Sequence, residues 1–128
     1  MISNRPDPTE AELEILQILW LYGASTVRFV NDTLQSKREV GYTTTLKMMQ
    51  LMAQKNMLTR VEEGRGHVYQ PLIARDQVQS SLVNKLVQAA FAGSTMNLVL
   101  QALGSHQPSD LEIEQLRQFL DGIERGEA

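Results

Sequence analysis

Residues 58–72 carry the chain's clear β signal. Leu58-Thr59-Arg60-Val61-Glu62 and His67-Val68-Tyr69-Gln70-Pro71-Leu72 read as two short strands. Between them lies Glu63-Gly64-Arg65-Gly66, a glycine-rich turn with a basic residue at its tip. A single two-stranded ribbon is barely stable in water and has to pack on other elements. Everything on either side reads as helix, so the hairpin restricts the fold to a mainly α architecture with one small β-hairpin.

The helix signals are local and specific. Thr9 followed by Glu12 fits a capping box, in which the hydroxyl takes a free helical N–H and the carboxylate reaches back. Glu10, Glu12 and Glu14 put negative charge at the positive end of that helix. Leu13, Ile15, Leu16, Leu19 and Trp20 follow at helical spacing, and Gly23 stops the run. A second helix is expected over residues 26–35, capped by Ser25 or Thr26, with Val27, Val30 and Leu34 as its apolar face. A polar loop over residues 36–41 leads to a third helix starting near Thr43 or Thr44 and ending about Lys55. Its apolar stripe is Leu46, Met49, Met52 and Ala53; its opposite face carries Thr44, Thr45, Lys47, Met48 and Leu51.

After the hairpin the pattern is helical again. Val78, Leu82, Leu86, Val87, Ala90 and Phe91 form a stripe ending at Gly93. Ser94 or Thr95 caps a short helix with Leu98, Val99, Ala102 and Leu103. Ser109 with Glu112 makes a second capping box, opening a helix with Ile113, Leu116, Phe119, Leu120 and Ile123. The expected division is 1–72, three helices closed by the hairpin, and 73–128, a helical region. The tail is too short to bury its stripe as a separate domain, so it packs on the first part or on another chain. Two-fold dimers are the commonest assembly, which favours a homodimer through Val78, Leu82, Leu86, Phe91, Leu98, Leu103, Ile113, Leu116, Phe119 and Leu120.

The 128 residues include no cysteine, which excludes a disulfide framework, a thiolate metal site and a cysteine nucleophile. No apolar run nears the ~20 residues of a membrane span, and the N-terminus lacks a secretory pattern. The expectation is a cytoplasmic protein with no membrane insertion.

Helix, helix, helix, hairpin is the order of a winged helix-turn-helix, whose later helix enters the DNA major groove and reads bases with its N-terminal residues. Here that helix opens with Tyr42, Thr43, Thr44 and Thr45 and carries Lys47 and Met48. Hydroxyls can bond phosphates or base edges, and threonine methyls can touch thymine methyls. Arg60, Arg65 and His67 on the hairpin complete the candidate site. The formal net charge of -3 argues mildly against a polyanionic partner. Its distribution argues the other way: residues 1–23 total -3, residues 24–72 total +3, and residues 73–128 total -3. Phosphate affinity follows the local count.

Other readings fare worse. Only His67 and His106 could act as neutral-pH bases, and neither has a catalytic constellation nearby. Two isolated histidines make a poor transition-metal site, so no metal and no cofactor are expected. The methionines at 48, 49, 52 and 57 read as adaptable core rather than a redox sensor. The serious alternative is a winged-helix protein–protein interaction module without operator binding.

Three stretches in order, PTEAELEILQILW, GYTTTLKMMQLMAQKNML and TRVEEGRGHVYQPL, with a tail ending SDLEIEQLRQFLDGIE, resemble the penicillinase-repressor family (BlaI/MecI/CopY type) over about residues 8–120. The resemblance implies a homodimeric winged-helix repressor that blocks promoters by binding double-stranded operator DNA at palindromic sites. It places the reading helix on Tyr42, Thr43, Thr44, Thr45, Lys47 and Met48, the wing on Gly64, Arg65, Gly66 and His67, and dimerisation on residues 73–123. Three departures accompany it. Where many members have a basic residue in the reading helix, this chain has Leu51. The resemblance further implies a membrane sensor protease as partner; the β-lactam-responsive members are cut at an Asn-Phe bond, and the matching pair here is Gln101-Ala102. The cysteine-rich metal site of the copper-responsive members has no counterpart.

Overall fold

The structure is a computed structural model that describes residues 7–64 and 66–127. The element order is α1 (Glu10–Tyr22), α2 (Val27–Gln35), α3 (Tyr42–Gln54), β1 (Leu58–Glu63), β2 (Gly66–Pro71), α4 (Arg75–Ala90), α5 (Thr95–Ser105) and α6 (Asp110–Glu124). The chain forms two compact units, one ending at Val83 and one starting at Asn84, so the division falls inside α4.

In the first unit, α1 begins as its sequence dictates. The Thr9 hydroxyl accepts the Glu12 N–H at 3.2 Å, and the Glu12 carboxylate accepts the Thr9 N–H at 2.9 Å. Gly23 ends the helix at φ +83°, a left-handed conformation that a side chain would strain. Thr26 caps α2 by accepting the Phe29 N–H at 3.1 Å. The hairpin is antiparallel, with Leu58 opposite Pro71 and Glu63 opposite Gly66. That register puts Gly64 at the turn, where it takes a positive φ (+62°). Ser25 bridges Tyr69, its N–H donating to the Tyr69 carbonyl at 3.0 Å and its carbonyl accepting the Tyr69 N–H at 2.8 Å. The segment between α1 and α2 thus serves as a rudimentary third strand that no local sequence pattern marks.

The core of this unit draws on every element. Ile15, Leu16 and Leu19 of α1, Val30 of α2, Met49 and Met52 of α3, and Met57 and Leu58 are all essentially inaccessible. Each such side chain contributes roughly 1.5–3 kcal/mol of transfer free energy. Tyr69, Ile73 and Val78 close the cluster, and the Trp20 indole N–H donates to the Ile73 carbonyl at 3.1 Å. Two ion pairs anchor α1. Arg38, in the turn before α3, pairs with Glu14 at 2.7 Å, and Lys55, after α3, pairs with Glu12 at 2.5 Å.

Two expectations for α3 change. The helix starts at Tyr42, one to two residues early, and its N-cap is Gly41, so no threonine caps it. Thr45 sits in the core at 1% exposure rather than on the outward face, its hydroxyl 2.7 Å from the Asn31 side chain. The Asn31 orientation that satisfies its surroundings points the amide nitrogen at the carbonyls of Val40 (3.3 Å) and Gly41 (3.2 Å). This buried polar contact locks α2 to the first turn of α3 and so fixes the angle at which α3 leaves the turn.

The second unit is built differently. Ser94 caps α5 through the Asn97 N–H at 3.1 Å, and Ser109 with Glu112 forms the expected capping box on α6. Val87 is its buried hydrophobic among the described residues, whereas Leu86, Met96, Leu100, Leu111, Phe119, Leu120 and Ile123 are exposed. Val78 and Leu82, expected at a dimer interface, lie instead in the first unit, Val78 buried in its core and Leu82 packed against it. The helical stripe that joins them to Leu86 crosses from one unit to the other. Among the described residues no single helix is long and apolar enough to cross a membrane.

Candidate nucleic-acid interface

The outward face of α3 follows from its period. With Thr45, Met49 and Met52 turned into the core, residues 43, 47, 50 and 54 fall on the opposite side, flanked by 44 and 51. Thr43, Thr44, Lys47, Gln50, Leu51 and Gln54 are all exposed there. Because Gly41 caps the helix without a side chain, the hydroxyls of Thr43 and Thr44 are not used as caps. Met48 is half-buried against the core and only borders this face. Gln50 and Gln54 were not among the expected site residues, although the position of Thr45 relative to Met49 and Met52 would have placed them.

The hairpin stands beside this helix. A cleft of about 330 Å³ opens between α2, α3 and the hairpin, and its lining includes Arg28, Tyr42, Gln50, Arg60, His67 and Tyr69. The structure therefore brings together Tyr42, Arg60 and His67 from the expected set. The Arg28 guanidinium carbon lies 4.9 Å from the centre of the Tyr42 ring, within cation–π range. On the far side of α3, Thr43, Thr44, Lys47 and Leu51 line a second groove with Thr9, Glu12 and Lys55. Arg65, expected at the wing tip, lies outside the described residues.

Charge in this region is selectively neutralised. Burial opposes ionisation of Glu12, but the Lys55 ammonium and the Thr9 N–H outweigh it and hold the carboxyl below its usual range. The Arg38 guanidinium likewise holds the Glu14 carboxyl low. Lys55 and Arg38 are thus occupied by α1. Among the described residues Arg28, Lys47 and Arg60 have no ion-pair partner. The described free cations of the basic segment include all three, and all three border α3 or the hairpin.

The penicillinase repressor family model matches residues 8–122. The chain belongs to the penicillinase-repressor family. Members of this family are transcriptional regulators, not enzymes. The chain is 29% identical to the transcriptional regulator BlaI of Mycobacterium tuberculosis over 119 residues, covering 91% of this chain and 85% of that one. It is 26% identical to the penicillinase repressor of Bacillus licheniformis over 116 residues, covering 91% of each. Among solved structures it resembles the solution structure of monomeric Bacillus licheniformis BlaI in complex with the blaP half-operator. That match has a TM-score of 0.52 and 25% identity, over 59% of this chain and 92% of the other. A MarR family protein from Bacillus stearothermophilus matches 93% of this chain and 74% of its own at TM-score 0.56 and 17% identity, a likeness of fold alone. The mainly helical winged-helix architecture with one antiparallel hairpin is thus shared with known repressors.

Proposed function

We propose that this penicillinase-repressor family member represses transcription as a homodimer on a palindromic operator, each protomer laying α3 in the major groove. The observation that carries the reading is the outward face of α3, where Thr43, Thr44, Lys47 and Gln50 stand exposed and uncommitted, with Gln50 bordering the hairpin cleft. Lys47 supplies charge for a phosphate or a guanine edge, Gln50 can bond adenine in a bidentate fashion, and the threonine methyls suit thymine. Thr45 acts behind this surface, fixing the helix through Asn31. Arg60 and His67 on the hairpin reach the flanking backbone.

Dimerisation falls to the second unit, whose exposed apolar side chains include Leu86, Phe119 and Leu120, with Phe91, Leu98, Leu103, Ile113 and Leu116 half-buried. A monomer seldom leaves so much apolar surface in water. The test is fluorescence anisotropy with duplex DNA from the region upstream of the protein's own coding sequence. Binding should weaken steeply with salt, and Lys47→Ala should weaken it by about tenfold or more through loss of a base or phosphate contact. Absence of salt-dependent binding to any duplex would point instead to a protein partner for α3.

A further inference from the structure

The cleft between α2, α3 and the hairpin holds more positive charge than the fold requires. Arg28 comes from α2 and Arg60 from β1, and both line the same opening. Neither has an ion-pair partner among the described residues. Two uncompensated guanidiniums directed to one cleft raise the local potential, which is the arrangement of an anion site rather than of a packing contact. Arg28 is also pre-oriented. The Arg28 guanidinium carbon lies over the Tyr42 ring, 4.9 Å from its centre, a cation–π contact that restrains the side chain. Holding a long side chain in one pose beforehand removes part of the entropy cost of binding. The positive end of the α2 dipole lies at the same rim, because Thr26 and Val27 line the cleft.

We propose that this cleft seats one backbone phosphate of bound DNA, with Arg28 as its principal donor and Tyr42 as the residue that positions Arg28. The inference rests on the reading of α3 as the groove-bound helix. Gln50 belongs to both the outward face of α3 and the cleft lining, so a strand whose groove receives α3 passes its phosphates along this opening. The contact is to phosphate and carries no base information, so it strengthens all duplexes equally.

The experiment measures affinity against salt for the full-length protein and for Arg28→Ala, Tyr42→Leu, the double variant and Lys47→Ala. The probes are the upstream promoter duplex and an unrelated duplex of equal length. Arg28→Ala should lower the slope of log K against log salt by about 1 per protomer and weaken both duplexes by a similar factor. Once Arg28 is gone, Tyr42→Leu should cost less than it does in the native chain, because its positioning role has no object. An unchanged salt slope in Arg28→Ala overturns the proposal, as do Arg28 and Tyr42 effects that multiply independently. If the native protein binds and Lys47→Ala weakens it while Arg28→Ala leaves the slope intact, the phosphate site alone fails. If the native protein binds neither duplex, the reading of α3 fails.

Discussion

The two units of the chain solve the burial problem in opposite ways. Up to Val83, five helical or strand elements and the start of a sixth close around a continuous core whose central side chains are water-free. From Asn84 on, helices with comparable apolar content leave Met96, Leu111 and Phe119 more than 60% exposed. Composition does not separate these regions. What separates them is topology: three short helices and a ribbon surround a centre, whereas the later helices offer their stripes outward. The first unit is finished as a monomer, and the second is finished by association in the proposed dimer.

The sharpest break of that contrast is truncation after Val83. The remaining chain should unfold cooperatively and sediment as a monomer, while its affinity for operator DNA falls by about 10²–10⁴, the avidity that linking two sites supplies. A truncated chain that stays dimeric would refute the division of labour. Next in size is a paired substitution. Leu16→Ala should cost the first unit about 2–5 kcal/mol in denaturant unfolding, because a fully buried leucine leaves a cavity. Leu120→Ala should leave that transition within about 0.5 kcal/mol and shift sedimentation toward monomer. Equal losses of stability from both would erase the distinction.

The smallest effect concerns acid. The folded state holds the Glu12 carboxyl below its unfolded value, so its contribution is fully present above the ordinary carboxylate range. It is lost as pH falls through the lowered folded value. Glu12→Gln should therefore be less stable than the native chain at neutral pH by about 1–3 kcal/mol. The gap should narrow as the solution is acidified, measured by urea unfolding at several pH values. A gap that holds constant into acid would assign the loss to packing instead.

How far the sequence foretold this structure depended on whether a feature was local. The capping boxes at Thr9–Glu12 and Ser109–Glu112, the stop at Gly23 and the turn at Gly64 rest on residues within four positions of one another, and the structure has each of them. Thr45 was misplaced because three consecutive threonines look alike until Asn31, fourteen residues earlier, selects one. Met48 looked outward for a similar reason, since only the tilt of α3 against the core shows it half-covered. The Ser25–Tyr69 bridge and the Glu12–Lys55 pair join residues more than forty positions apart and left no spacing to read. The candidate site divided along the same line. Lys47 was visible as a charge on a helix, whereas Arg28 became part of the surface only once α2 was set beside Tyr42.

The placement of the chromophores follows the same asymmetry. The single tryptophan, Trp20, and the three tyrosines, Tyr22, Tyr42 and Tyr69, all precede Val83. Trp20 is tied by its indole N–H to the Ile73 carbonyl, where the chain leaves the hairpin for α4. Intrinsic fluorescence therefore watches the first unit alone, and the second is optically silent beyond its phenylalanines. Far-ultraviolet circular dichroism sees the helices of both. Melting the protein while recording the two signals together separates the units without labels, and the interval between the curves measures how tightly the halves of one chain are thermodynamically joined.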